Sequence, residues 1–164
     1  MIEAELARAV SLRESGALHE ARDLLLRLSQ TAPDDPRVAY QAAWAHDRLG
    51  LEAEAVPFYV RALDGDGLSP VERRGALLGL GSTYRTLGRY TEAADVLSRG
   101  VTEFPDDRAM AVFLAMARYN TGDAKSAVAG LLTMLAETSS DPEIQGYRPA
   151  IELYAQDLDR IWSC

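Results

Sequence analysis

Apolar residues recur every three or four positions along most of the chain, and short polar turns that contain glycine separate the periodic segments. Leu77, Leu80, Gly81 and Tyr84 illustrate the pattern, since they occupy positions i, i+3, i+4 and i+7. This spacing places all four residues on one stripe of an α-helix. The pattern therefore predicts an all-α chain built from amphipathic helices.

A second helix follows this one after a short turn and provides the opposing surface. Ala93 and Leu97 lie four residues apart, so they share one face of that helix. Gly81 has no side chain and permits a close approach of the second helix, while Gly88 suits the left-handed conformation that ends the first helix. Pro105 ends the second helix. The segment predicts a helix pair in which small residues face large ones.

The same unit recurs along the chain, marked by a turn glycine and an alanine five residues later. The pairs are Gly16 with Ala21, Gly50 with Ala55, Gly88 with Ala93, and Gly122 with Ala127. Successive pairs are 34, 38 and 34 residues apart, and a period of 34 residues is that of the tetratricopeptide repeat. The chain thus resembles the tetratricopeptide repeat family over roughly residues 2–139, and the run GLGSTYRTLGRYTEAA resembles its small stand-alone bacterial members.

This resemblance implies one domain over residues 1–164, folded as a right-handed α-α superhelix (a solenoid) of helix-turn-helix repeats. The four expected repeats cover about residues 2–35, 36–69, 70–107 and 108–141. Asp141 and Pro142 then predict the start of a final helix, over about residues 142–161, whose apolar residues share one face. We expect this helix to cap the exposed end of the solenoid.

Four extra residues lengthen the connection between the second and third repeats. Ser69, Pro70 and Glu72 form a capping-box pattern with proline at the first helical position, so we expect the third repeat to open with a helix one turn longer. Asp64 and Asp66 match the start of a calcium-binding loop, but its later ligand positions are missing. The segment is therefore interpreted as a surface turn.

Composition narrows the classes of partner. The chain has 25 acidic and 17 basic residues and a formal net charge of −8, which disfavours nucleic acid because phosphate binding depends on clusters of Lys and Arg. We expect no membrane segment and no secretory signal, since the chain has no long apolar run and an acidic, periodic start. The single cysteine, Cys164, favours a reducing, cytoplasmic setting.

Groups that carry chemistry are scarce. His46 falls on the core stripe of its helix and His19 near a helix start, and neither has a Cys, Asp or Glu at metal-ligand spacing. The chain also lacks a serine nucleophile elbow and a glycine-rich phosphate loop. We therefore predict a protein that is not an enzyme and that needs no cofactor or metal.

The resemblance implies that the first helix of each repeat lines a concave groove. A helix turns about 100° per residue, so residues one and five positions beyond Ala39 point largely away from the core stripe. Applied to the second, third and fourth repeats, this geometry predicts the groove residues Tyr40, Trp44, Asp47, Arg48, Leu78, Ser82, Arg85, Val112, Met116, Tyr119 and Asn120. The first repeat adds Leu6, Val10 and Arg13.

This predicted groove favours a protein or peptide partner, bound by a non-catalytic adaptor or scaffold. Aromatic residues and arginine are enriched at binding hot spots, and Arg13, Arg48 and Arg85 recur near one edge. We therefore expect an amphipathic or extended segment whose acidic residues face those arginines. The clamp with which some family members hold the carboxylate terminus of heat-shock chaperones is absent, because Leu6, Val10, Gln41 and Gly75 occupy its positions.

Three alternatives stay open. Tyr40, Trp44 and Tyr119 would also fit simple packing against the neighbouring repeat. The groove or the final helix, which carries Trp162, would also suit a homodimer with no foreign peptide. A third alternative is an accessory domain of an enzyme that has lost its catalytic partner.

Overall fold

The computed structural model describes residues 2–161, and this part of the chain contains ten α-helices and no β-strand. The helices are α1 (Ile2–Glu14), α2 (Leu18–Thr31), α3 (Pro36–Arg48), α4 (Glu52–Asp64), α5 (Pro70–Thr86), α6 (Tyr90–Glu103), α7 (Arg108–Asn120), α8 (Ala124–Thr138), α9 (Pro142–Gly146) and α10 (Arg148–Gln156). From α1 to α8 each helix packs against the next one in the chain. The result is a solenoid of four helix pairs.

The turn inside each pair is built on a left-handed glycine. Gly16, Gly50, Gly88 and Gly122 have φ angles of 88°, 71°, 75° and 89°, which L-residues with a side chain rarely adopt. The amide of the next residue then bonds back into the preceding helix, as Arg89 N does to the Tyr84 carbonyl oxygen at 2.8 Å. These contacts confirm the predicted turn glycines.

Local caps set where the helices begin. The Ser69 side chain accepts a hydrogen bond from Glu72 N while the Glu72 carboxylate accepts one from Ser69 N, which confirms the capping box. The helix that follows has 17 residues, whereas α1, α3 and α7 have 13 each. The extra residues between the second and third repeats therefore include one additional helical turn, as expected.

Small residues allow the helices of a pair to approach closely. Gly81 on α5 faces Leu97 on α6, and a Cβ at Gly81 would lie 2.7 Å from Leu97 Cδ2. Leu77, Leu97 and Ala93 have no exposed surface. His46 is also buried, with Nδ1 2.7 Å from the Ala42 carbonyl oxygen. These positions confirm the predicted core stripe.

The prediction of one final helix over residues 142–161 is wrong in its extent. The structure has two helices, α9 and α10, with a break at Tyr147. Pro149 has no N–H to donate to the carbonyl group of Gln145, and its ring would clash there in a continuous helix. Gly146 adds a weak helix former at the same place. The apolar periodicity continued through a segment whose backbone does not support one helix.

The second of these helices still covers part of the solenoid end, because α10 packs against α8. It stops at Gln156, where Asp157 Oδ1 accepts a hydrogen bond from Asp159 N at 3.2 Å and from Lys125 Nζ at 2.8 Å. A side-chain bond of this kind offers the backbone an alternative to helix. Trp162, predicted on this helix, lies outside the described residues.

Replacing Gly81 with alanine tests the close approach of α5 and α6. The added Cβ would overlap the Leu97 side chain, so we expect the free energy of unfolding to fall by about 1–3 kcal/mol. The control is Gly130→Ala on α8, where a Cβ meets nothing within 4 Å and we expect a gain of about 0.5–1 kcal/mol. Urea denaturation measures both. Equal effects of the two substitutions would contradict this account.

Candidate functional site

A cavity of about 570 Å³ opens between α1, α3 and α5, the first helices of three consecutive repeats. We call it the groove cavity. It is lined by Val10, Arg13, Glu14, Tyr40, Gln41, Trp44, Asp47, Tyr59, Val71, Glu72, Arg74, Gly75, Leu78, Gly79, Ser82 and Phe113. The repeat arrangement thus brings together residues far apart in the sequence.

The structure divides the predicted groove residues into two groups. Those that line the groove cavity are Tyr40, Trp44, Asp47, Leu78 and Ser82, together with Val10 and Arg13 of the first repeat. Those outside its lining are Leu6, Arg48, Arg85, Val112, Met116, Tyr119 and Asn120. Arg85 Nε donates to Asn120 Oδ1 at 2.9 Å, whereas Tyr119 is 69% exposed. The fourth repeat therefore presents a separate surface.

One wall of the groove cavity is a stack of three side chains. The Arg13 guanidinium carbon lies 3.4 Å from the centroid of the Trp44 ring, and the Trp44 and Tyr40 ring centroids are 5.8 Å apart. Burial lowers the pKa of Arg13, and the nearby charge of Arg48 lowers it further. Arg13 nevertheless stays protonated, because a guanidinium remains charged in proteins. The cation covers the indole rather than standing in solvent.

Two glycines on α5 make room for the tyrosines of the second repeat. A Cβ at Gly75 would overlap the Tyr40 hydroxyl, and one at Gly79 would lie 2.7 Å from Tyr59 Cε1. Tyr40 is consequently buried against α5 while its ring still lines the cavity. Packing and cavity formation are not exclusive for this side chain. The signal in the sequence was a pair of glycines four residues apart, one turn on the same helix face.

Asp47 joins three helices. Its Oδ2 accepts a hydrogen bond from the Tyr59 hydroxyl at 3.1 Å, and its Oδ1 accepts one from the Thr83 hydroxyl at 3.2 Å. Burial raises the pKa of Asp47, and these two bonds partly oppose that shift. Burial also raises the pKa of Tyr59. The Asp47 carboxylate thus acts as a strut between the second and third repeats.

The remaining polar groups of the lining are mixed in sign. Glu14 and Glu72 add carboxylates, and Arg74 adds a guanidinium whose Nε lies 3.6 Å from Asp107 Oδ2. Gln41, which the sequence analysis had not included among the groove residues, places a buried amide in the same wall. The cavity therefore combines an aromatic floor with balanced charge. Its polar side chains suit hydrogen bonding more than simple charge neutralisation.

Two wider searches concern other kinds of site. Across residues 2–161, every helix falls short of the combined length and apolar character that a bilayer crossing requires. Within the same residues, no group of three or more His, Cys, Asp or Glu side chains is placed to hold a metal ion.

Replacing Asp47 with asparagine tests its burial. Because the folded-state pKa of Asp47 is raised above 3.8, its favourable contribution is complete below that pH and is lost as the pH rises through the folded value. We expect the stability of Asp47→Asn relative to the wild type to increase across this window. Urea denaturation from acid to neutral pH measures it, with Asp64→Asn, at the exposed end of α4, as the charge control. A pH-independent difference would contradict the burial argument.

Comparison with known proteins followed from this geometry. A sequence profile described as "Tetratrico peptide repeat" matches residues 36–158. A MamA D159K mutant structure matches with a TM-score of 0.73 and 21% identity over 85% of this chain and 76% of that chain. A MamA RS-1 double mutant gives 0.73 and 17% over 95% and 85%. The search of curated proteins found no match.

A third solved structure, the APC/C hetero-tetramer Cut9-Hcn1, matches with a TM-score of 0.74 and 16% identity, over 93% of this chain and 30% of that chain. At these identities the structural matches show the fold alone, which is the predicted all-α, right-handed solenoid of four helix pairs. The profile match covers more than half of the sequence and agrees with the glycine turns and small-to-large helix contacts. The chain belongs to the tetratricopeptide repeat family.

Proposed function

We propose that this chain is a non-catalytic, cytoplasmic adaptor or scaffold that binds a peptide or protein segment in the groove cavity. The observation that carries the proposal is the cavity itself, in which Tyr40, Trp44 and Leu78 are brought together from two repeats. Tetratricopeptide repeat proteins are generally non-catalytic interaction modules, so a protein partner also agrees with the family. The hetero-tetramer Cut9-Hcn1 supports this choice, since its title names an assembly of two different proteins.

The dimensions of the groove suit a short extended segment. Packed helices lie about 8–10 Å apart, so a groove that crosses α1, α3 and α5 spans about 20 Å, the length of about six extended residues. The aromatic wall supplies large, rigid contact area, and such residues dominate binding energy at interfaces. A single anchor side chain in the cavity, with flanking residues along the groove, fits this arrangement.

Charge at the rim favours acidic residues beside that anchor. Arg48 is exposed next to the cavity wall and lies close enough to Arg13 to affect its pKa. Arg85 is already engaged with Asn120, so it offers less to a partner. We therefore assign the attraction of an acidic flanking residue to Arg48. Exposed charges of this kind contribute mainly to the association rate and to salt dependence.

Trp44→Ala and Arg48→Ala test the groove as a binding site. The probe is a peptide selected from a random display library on the wild-type protein, with its affinity measured by isothermal titration calorimetry. We expect Trp44→Ala to weaken binding about 30-fold, as for a hot spot of about 2 kcal/mol. Arg48→Ala should weaken it about threefold to tenfold, and less at high salt.

The control for these substitutions is Tyr90→Ala, which removes an exposed aromatic ring on α6 outside the cavity lining. Its affinity should match that of the wild type. Unchanged binding in both Trp44→Ala and Arg48→Ala would refute the groove proposal.

A second candidate function is self-association, which a specific surface favours. Val128, Leu131 and Leu135 on α8 are 46%, 42% and 42% exposed, and their spacing places them on one stripe. Leu153 on α10 is 42% exposed and extends the apolar surface. Contiguous exposed apolar surface of this kind marks interaction sites. The alternative is therefore a homodimer formed through the α8 stripe, defined by Val128, Leu131 and Leu135, and α10.

Leu131→Glu tests this alternative by size-exclusion chromatography with light scattering across a concentration series. If the chain dimerises through the α8 stripe, the wild-type mass rises toward twice the monomer mass, and Leu131→Glu keeps it at the monomer value because burying a carboxylate is unfavourable. Leu87→Glu, at an exposed position after α5, is the matched control and should still dimerise. A truncation after Ser140 removes α9 and α10. A monomeric wild type at every concentration would exclude the alternative.

A further inference from the structure

Two buried polar atoms of the groove cavity have no hydrogen-bond partner among residues 2–161. They are Arg13 Nε, a donor, and Gln41 Oε1, an acceptor. Each side chain is only 7% exposed, and both line the same cavity. Native proteins satisfy most buried polar groups, so each exception calls for an explanation. One donor and one acceptor that converge on a single cavity indicate a bound group that satisfies both.

The chemistry of the two atoms restricts that group. The N–H of Arg13 requires an acceptor, and the carbonyl oxygen of Gln41 requires a donor. A carboxylate accepts but does not donate, so it would leave Gln41 unpaired. An ammonium group donates but does not accept, so it would leave Arg13 unpaired. A carboxamide carries a carbonyl oxygen and two N–H donors, and it satisfies both atoms at once.

Charge and shape also favour a neutral carboxamide. Glu14 and Glu72 already place carboxylates in the lining, and the Asp47 carboxylate is bonded to Tyr59 and Thr83. A further anion inside the cavity would meet this negative charge and would lose its hydration. A backbone peptide group fits less well, because its N–H and C=O point in opposite directions in the trans form. A side-chain carboxamide presents donor and acceptor at one edge.

We propose that the groove cavity selects its partner through an asparagine or glutamine side chain, whose carboxamide accepts from Arg13 Nε and donates to Gln41 Oε1 beside the Trp44 ring. This inference rests on the proposed function, because it assumes a partner segment in the groove. It adds the chemical identity of the anchor residue. Acidic residues of the partner then belong at the rim near Arg48 rather than inside the cavity.

The test uses the full chain and a random peptide display library. We expect the wild type to enrich Asn or Gln at one fixed position. In a synthetic copy of the selected peptide, replacing that residue by Asp or Leu should weaken binding at least about tenfold, because one buried protein group is left unpaired. The Asn-to-Asp exchange preserves shape and changes only the hydrogen-bonding pattern and charge.

Gln41→Met is the informative protein variant. It keeps the length of the side chain and removes the unsatisfied acceptor, so we expect it to be at least as stable as the wild type in urea denaturation. The preference for Asn over Leu in the peptide should fall about tenfold. Gln30→Met, at an exposed position on α2, is the matched control and should retain the preference.

The outcomes separate this inference from the proposed function. A wild type that selects no peptide contradicts groove binding and the anchor assignment together. Selected peptides with no amide preference, or with Asp or Glu at the anchor position, overturn the anchor assignment and leave groove binding intact. The same holds if Gln41→Met retains the wild-type preference.

Discussion

Close approach of helices at positions without side chains is the constraint on which this solenoid depends. Gly75, Gly79 and Gly81 all lie on α5, and each accommodates a large side chain from another helix of the solenoid. Glycine in a helix costs about 1 kcal/mol relative to alanine, and burial of a large apolar side chain contributes about 1.5–3 kcal/mol. The second contribution exceeds the first, so α5 is glycine-rich and still stable in its packed setting.

The same contacts shape the groove cavity. Tyr40 is held against Gly75, and its ring supports Trp44, over which the Arg13 guanidinium stacks. Asp47 is held by hydroxyl groups from α4 and α5. The walls of the cavity are therefore fixed by the packing of the second repeat on the third. Such preorganisation reduces the entropic cost of binding.

Sequence reasoning succeeded where the signal was local. The turn at Gly88, the cap at Ser69 and the burial of His46 each follow from spacing within one repeat. The break at Tyr147 was missed because apolar periodicity was given more weight than Pro149. The site was found only in part, because periodicity identifies the outward face of each first helix without showing which faces meet. Contacts between repeats, such as Arg85 with Asn120, depend on how the superhelix packs.

The two candidate surfaces differ in what they demand of a partner. The α8 stripe is apolar, and an apolar surface accepts any apolar face of suitable shape because the hydrophobic effect has no direction. The groove cavity contains Arg13 Nε and Gln41 Oε1, which lower the stability of the isolated protein until a matching group is bound. A wrong group in the cavity leaves one of them unpaired, so discrimination is directional and strong. Specific recognition therefore belongs to the groove cavity, and the α8 stripe supplies area without selectivity.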